Sequence, residues 1–172
     1  MGAAYGGGGV IMTKERFAKG GIIKYVVLVL IVIFIVILML YTSGSSKPFE
    51  EIRQSVASVL DKSNLKEKDE ASFKRNTGLN AADYSGVMYY ASESNLSAEE
   101  VLLIRVRSGS QIQEVRETLE ARIDSRISDF DGYVPEEVKL LEEAVLNVRG
   151  NYIFFAVAPK AEEYLEAFRN SL

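Results

Sequence analysis

The strongest feature of the hydrophobic pattern is an unbroken apolar run near the N-terminus, over residues 25–41. Two isoleucines before Lys24 lengthen the run to 22–41. A helix of about twenty residues is about 30 Å long, which matches the hydrocarbon core of a bilayer. The pattern therefore predicts a flexible tail over 1–21 and a transmembrane helix over 22–41. A cleavable signal peptide is the alternative, because small residues follow the run and would permit cleavage.

Charges on the two sides of this run predict its orientation. Four cations precede it and two follow it closely: Lys14, Arg16, Lys19 and Lys24, then Lys47 and Arg53. Cations concentrate on the cytoplasmic side of membrane helices. The bias predicts a single-pass protein of the cell membrane, with its N-terminus in the cytoplasm, its C-terminal domain outside and the lipid bilayer as a partner. The opposite orientation would give a regulatory domain that faces the cytoplasm.

Beyond a linker over 42–47, the pattern becomes periodic and predicts one domain over 48–172. A proline suits the first turn of a helix, and apolar residues recur behind it at the spacing of one helix face. A polar stretch follows over 61–70, in which we predict no strand. Asp69 is placed to cap a short second helix that ends at Gly78.

Two strands and a long helix are predicted next. Residues 84–91 are rich in aromatic and β-branched side chains, and residues 101–107 alternate as a strand requires. Their short connection permits an antiparallel pairing. Ser110 and Gln113 match the capping box that begins a helix. Apolar residues then step by three and four as far as Phe130, so we predict an amphipathic helix of about 20 residues.

The rest of the chain predicts one helix, a hairpin and a final helix over 160–172. Strands over 144–149 and 152–158 flank Gly150 and Asn151, which suit a two-residue turn. The full order after the apolar run is α-α-β-β-α-α-β-β-α. We therefore predict an α+β fold in which helices cover one face of a four-stranded, mainly antiparallel sheet. Seven side chains are expected in its core: Leu102, Ile104, Leu119, Ile123, Ile127, Phe154 and Phe168.

Composition changes this picture mainly by exclusion. The chain of 172 residues has no Cys and no His, which excludes disulfides, thiolate zinc sites and proton transfer by histidine. The net charge is −4, and nucleic-acid binding needs clustered cations, so we predict no nucleic-acid partner. We also predict no cofactor and no metal. Asp129 and Asp131 come closest to a calcium ligand set, but they lack the spacing of a calcium loop.

An ordered set of short motifs resembles a bacterial family of uncharacterised proteins. The set comprises Asp83-Tyr84, Ser97-Ala98-Glu99-Glu100, Glu120-Ala121-Arg122, then Phe130, Tyr133, Pro135 and Val148-Arg149-Gly150-Asn151-Tyr152. The family is catalogued as domain of unknown function 4358, and the likeness covers residues 49–168. Its members in Firmicutes are lipoproteins or proteins anchored by one helix, so the resemblance implies an extracytoplasmic location. This chain departs from the lipoproteins, since it has no Cys to carry a lipid.

Four residues are candidates for a binding surface: Arg122, Tyr133, Asn151 and Tyr152. Arg122 could hold a carboxylate or a phosphate, although an arginine on a long helix more often packs its stem and pairs with a nearby acid. The two tyrosines could line a sugar or peptide site, although aromatic side chains more often fill a core.

No residue set predicts a catalytic, cofactor or metal site. The family that the chain resembles has no established activity to transfer. We therefore predict a non-enzymatic domain that binds a protein or a cell-wall component near the cell envelope. The alternative is a small cell-envelope enzyme that uses carboxylate or lysine chemistry.

Overall fold

The computed structural model describes residues 1–2, 14–42 and 47–172. The chain divides into two compact units, Met1–Ser43 and Gly44–Leu172. Much of the predicted tail and most of the predicted linker therefore lie outside the described residues.

The described residues of the first unit include one helix, α1, over Lys14–Thr42. Within the described part of the chain, no helix is long and apolar enough to cross a membrane. This finding corrects the predicted transmembrane helix over 22–41. The side chains that the structure describes in α1 run from Ile23 to Ile37 and are exposed.

The second unit combines one sheet with helices. Its elements are α2 (Phe49–Val59), β1 (Leu65–Glu67), α3 (Glu70–Thr77), a short 3₁₀ helix (Ala81–Asp83), β2 (Gly86–Ser92), β3 (Glu100–Arg105), α4 (Gln111–Phe130), α5 (Pro135–Glu142), β4 (Val145–Arg149), β5 (Tyr152–Val157) and α6 (Ala161–Ser171). The strands form an antiparallel sheet in the order β1-β2-β3-β5-β4. The α+β class and the two predicted hairpin pairings are therefore confirmed.

β1 is the strand that the sequence did not predict, so the sheet has five strands and the predicted number of four is wrong. It lies inside the polar stretch over 61–70. Only Leu65 among its three residues is buried, so the strand carries too little hydrophobic signal to be recognised. Its pairing with β2, which aligns Leu65 with Ser92 and Glu67 with Tyr90, is what holds it in the sheet.

Helices cover both faces of the sheet, which corrects the prediction of one covered face. α2 and α6 pack on the face that carries Met88, Leu103 and Phe154. α3, α4 and α5 pack on the face that carries Leu102 and Phe155. The central strands β3 and β5 are buried on both faces, since their nearly continuous apolar sequences leave no polar face for solvent.

The predicted core is confirmed at its centre. Five of the expected side chains are almost completely buried: Leu102, Ile104, Leu119, Phe154 and Phe168. Ile123 and Ile127 are only partly buried. They lie in the C-terminal half of α4, where the helix also carries the polar side chains of a pocket.

The helix ends show which local predictions succeed. Asp69 caps α3 by accepting a backbone N–H of the first turn at 2.8 Å, and α3 ends at Gly78 with a φ of 78°, as predicted. The predicted capping box of α4 is wrong. Ser110 has a helical φ and ψ of −64° and −26° and makes no capping bond. The side chain of Gln111 instead accepts from the backbone N–H of Arg107 at 2.8 Å.

Candidate functional site

A polar pocket opens beside the C-terminal half of α4. Its volume is about 760 Å³, and small-molecule sites commonly enclose about 300–1,000 Å³. Its walls are α4, the end of α3, the end of β2, the start of β3 and the loop between these two strands. Charged, amide and hydroxyl side chains dominate its lining, among them Asn76, Ser97, Glu99, Glu100, Arg122 and Arg126. We call this cavity the α4 pocket.

One side of α4 supplies the helical wall of the pocket. Its lining residues recur at steps of three and four: Thr118, Ala121, Arg122, Ser125, Arg126 and Asp129. This spacing places them along one side of a helix. Val115 and Leu119 pack into the core on a neighbouring side. The same helix therefore anchors itself on the sheet and presents polar groups to the pocket.

The floor of the α4 pocket is a buried ion pair between α4 and β3. Nε of Arg122 donates to Oε1 of Glu100 at 2.8 Å, and Nη2 donates to Oε2 at 3.0 Å. This geometry fits the planar guanidinium fork to a carboxylate with two bonds. Glu100 is 3% exposed, so its charge depends on Arg122 for compensation.

Two further residues complete the hydrogen bonds of this pair. The hydroxyl of Tyr89 donates to Oε2 of Glu100 at 2.9 Å and accepts from Nδ2 of Asn76 at 3.1 Å. Nη1 of Arg122 donates to the backbone carbonyl of Asn76. Burial, followed by the charge of Glu100, raises the pKa of Tyr89. Burial opposes the charge of Arg122, but the bonds and charge of Glu100 outweigh it and raise the pKa of Arg122.

Three serine side chains fix the loop between β2 and β3. The hydroxyl oxygens of Ser92, Ser94 and Ser97 each accept from the backbone N–H two residues later, at 3.1, 3.2 and 3.2 Å. Such bonds define tight turns without help from other elements. Each serine oxygen acts as an acceptor, so each hydroxyl hydrogen remains available as a donor. All three serines line the pocket.

Arg126 reaches from α4 to the same loop. Its Nη2 donates to the backbone carbonyl of Ser97 at 3.0 Å, and its guanidinium lies 4.5 Å from the ring centroid of Phe130. Its Nε is buried and has no hydrogen-bond partner. Among the residues that the structure describes, neither Arg126 nor Arg75, which also lines the pocket, forms an ion pair. Arg126 is therefore the lining residue that combines a bond to the loop with a buried donor that has no partner.

Glu99 is the lining carboxylate with a shifted pKa. Burial, followed by the charge of Glu137, raises the pKa of Glu99. Nδ2 of Asn64 donates to Oε1 of Glu99 at 3.3 Å. Oε2 of Glu137 accepts from the backbone N–H of Ala98 at 2.6 Å, which ties the loop to α5. Glu99 therefore changes its protonation closer to neutral pH than an ordinary glutamate does.

The four binding-surface candidates from the sequence do not come together. Arg122 lies in the α4 pocket. Tyr133 is 79% exposed in the turn between α4 and α5, and Asn151 occupies the turn between β4 and β5. Tyr152 is completely buried and stacks on Phe49, with ring centroids 6.4 Å apart, on the face that α2 and α6 cover.

The sequence did not single out Glu100 or Arg126, although each left a signal. Glu100 is an acid placed directly before the apolar residues of a buried strand, and a buried acid needs a partner. Arg126 follows Arg122 by four residues, which puts both guanidinium groups on one side of α4. Neither signal identifies the partner, because the partners lie on other elements. Within the described ranges, no group of three or more potential ligand residues is placed to hold a metal ion.

Comparison with known proteins identifies the family of this chain. No curated protein and no solved structure matches it. Residues 58–158 match the family described as Domain of unknown function (DUF4358). This segment contains the whole sheet and every wall of the α4 pocket. The bacterial group that the resemblance implied stays a prediction, and this chain has no Cys to carry the lipid of the lipoprotein members. Because the match covers more than half of the 172 residues, the chain belongs to the DUF4358 family.

Proposed function

We propose that this domain is a non-enzymatic binding domain whose α4 pocket holds a small polar ligand. The observation that carries the proposal is the floor of the pocket, where Arg122 and Glu100 hold each other in a two-bond pair that Tyr89 completes. Side chains that are already fixed lose little conformational freedom when a ligand binds. The serine-fixed loop and the floor therefore form a polar cavity of small-molecule size before any ligand arrives.

The protonation states of the floor favour binding over catalysis. A general acid or base works best when its pKa lies near the working pH. The pKa values of Tyr89 and Arg122 are both raised above ordinary values that are already alkaline. These two groups therefore keep their protons at neutral pH and serve as fixed hydrogen-bonding groups.

Glu99 supports a second candidate function, which is a small enzyme with carboxylate chemistry. A raised pKa is the change that lets a glutamate act as a general acid near neutral pH. One of its oxygens already accepts from Asn64, and the binding function needs no proton transfer at all. Comparison of the wild type with Glu99→Gln separates the two functions. An enzyme would convert a bound compound in the wild type and not in the variant, whereas a binding domain would convert it in neither protein.

The test compares two tryptophan variants of α4. Ser125 is exposed and lines the pocket, whereas Ser128 is exposed on the same helix and does not line it. The full-length chain, in a mild detergent because α1 exposes apolar side chains, is dialysed against a polar small-molecule extract of its host's cells. Mass spectrometry then identifies the retained compounds. The wild type and Ser128→Trp should retain a compound that Ser125→Trp loses; equal retention by all three proteins would refute the proposal.

The predicted partners and location are separate from this proposal. A cell-wall fragment small enough for the pocket would appear among the retained compounds. The predicted protein partner and the predicted extracytoplasmic location stay predictions.

A further inference from the structure

We infer that the ligand of the α4 pocket carries an oxyanion, either a carboxylate or a phosphate, and that Arg126 binds this group. The inference rests on the proposed function, because it specifies the chemistry of the same pocket's ligand. It assigns different roles to the two neighbouring arginines of α4. Arg122 builds the floor, and Arg126 contacts the ligand.

Unused donor capacity distinguishes Arg126 from Arg122. All three nitrogens of Arg122 donate, two of them to Glu100 and the third to the carbonyl of Asn76. Arg126 donates once, to the carbonyl of Ser97, and its buried Nε has no partner. A buried donor without a partner is costly, and nearly all such groups in folded proteins are satisfied. Arg126 lines the pocket, so a ligand oxygen that binds its guanidinium would supply an acceptor that this side chain lacks.

The position of Arg126 is fixed before a ligand binds. The bond to Ser97 holds one end of the guanidinium, and the central carbon of the guanidinium lies 4.5 Å from the ring centroid of Phe130. A planar guanidinium matches carboxylate and phosphate oxygens, and its fixed geometry reduces the entropy that is lost per bond. The side chain is therefore arranged for an oxyanion and not for a neutral carbonyl alone.

The serine-fixed loop adds donors beside this guanidinium. Ser92, Ser94 and Ser97 each accept one backbone N–H group, and each keeps its hydroxyl hydrogen as a donor for the pocket. Hydroxyl donors that accompany an arginine are typical of anion sites. This wall of the pocket consequently favours a group with several acceptor oxygens.

Acidic lining residues do not cancel this preference. The charge of Glu100 is compensated by Arg122, and Oε1 of Glu99 accepts from Asn64. Burial, followed by the charge of Glu137, raises the pKa of Glu99, which favours its neutral form. Asp129 is exposed at the end of α4, where water screens its charge. Arg75 and Arg126 remain as cations without an ion pair in the described part of the chain.

Nuclear magnetic resonance of arginine side chains tests the inference directly. The Nε–H signals of the full-length chain are followed during titrations with sodium acetate and inorganic phosphate across the millimolar range, with chloride keeping the ionic strength constant. The signal of Arg126 should shift and saturate with one or both anions, and the stronger response shows which oxyanion is preferred. Arg116, which is exposed on the same helix and paired with Glu120, is the internal control and should not respond.

Substitutions and neutral probes complete the experiment. The shift of the Ser97 backbone amide signal reports the affinity for the anion in Arg126→Gln. This affinity should be about tenfold or more lower than in the wild type, because the variant loses one charge-assisted hydrogen bond. Arg116→Gln should respond like the wild type. Glycerol and methylammonium chloride should give no saturable shift. An Arg126 signal that ignores both anions, or a Ser97 response that persists in Arg126→Gln, would overturn the inference.

The dialysis experiment separates failure of this inference from failure of the binding function. Retained compounds that Ser125→Trp loses should carry a carboxylate or a phosphate, and Arg126→Gln should lose them too. If those compounds are neutral or cationic and Arg126→Gln retains them, the oxyanion assignment is wrong and the binding function stands. If Ser125→Trp retains every compound that the wild type retains, the binding function itself is wrong.

Discussion

The buried pair of Glu100 and Arg122 gives the largest single effect that we expect outside the apolar core. Glu100→Gln keeps the shape of the side chain and an acceptor for the hydroxyl of Tyr89, but it removes the charge. The side chain of Arg122, which is 18% exposed, is then left without its counter-charge. Removing one partner of a buried pair costs about 3–5 kcal/mol. Because the guanidinium can reach water through the pocket, we expect the lower end, about 3 kcal/mol.

A surface pair on the same helix is the matched control. Arg116 and Glu120 lie 3.3 Å apart, and their side chains are 47% and 54% exposed. Exposed pairs at this spacing contribute about 0.3–0.5 kcal/mol, so Glu120→Gln should change stability by no more than that. Both variants of the full-length chain are unfolded in urea and followed by tyrosine fluorescence, which gives the free energy of unfolding.

A double-mutant cycle shows whether the cost belongs to the pair. Arg122→Met alone leaves the carboxylate of Glu100 buried without its counter-charge. Together with Glu100→Gln it leaves no buried charge. The double variant should therefore cost less than the sum of the single variants by about 2 kcal/mol. Additive effects, or a Glu100→Gln variant as stable as Glu120→Gln, would refute the description of the pocket floor as a mutually dependent ion pair.

Three further predictions concern stability. Leu119→Ala should cost about 2–5 kcal/mol and the less buried Ile123→Ala clearly less, as measured in urea. Folding raises the pKa of Glu99. The contribution of Glu99 to stability is therefore present below its unfolded pKa and is lost as the pH rises through its folded pKa. Glu99→Gln should consequently raise the melting temperature at neutral pH and not near about pH 4. Asp69→Ala should lower the free energy of unfolding, since its carboxylate caps α3, whereas Ser110→Ala should cost less than about 0.5 kcal/mol because no capping bond exists to lose.

Interactions between near neighbours in the chain could be predicted from the sequence. The cap at Asp69 and the end of α3 at Gly78 each depend on a few adjacent residues. The β4–β5 turn needs a residue that accepts a positive φ at its first position, and Gly150 has a φ of 59° there. Leu102 and Ile104 alternate with their neighbours and were correctly assigned to a strand and to the core.

Several elements depended on partners that the local pattern does not contain. β1 has one inward residue, Leu65, and becomes a strand only because β2 is there to pair with it. The apolar sequences of β3 and β5 were compatible with one or two covered faces, and only the packing of α2 and α6 opposite α4 decided between them. Ser110 matched a helix-capping motif, but it makes no capping bond, and the side chain of Gln111 instead accepts from the backbone N–H of Arg107 in the turn before α4.

The sequence by itself determined the family, the α+β class and most element positions, because these follow from local periodicity, turn chemistry and ordered motifs. Only the tertiary structure decided where a ligand could bind. Glu100 and Arg122 are 22 positions apart, and the α4 pocket exists because α3, α4 and the β2–β3 loop meet at one end of the sheet. Contacts between distant parts of a chain depend on how whole elements pack, and no local pattern of residues encodes which polar side chains that packing brings together.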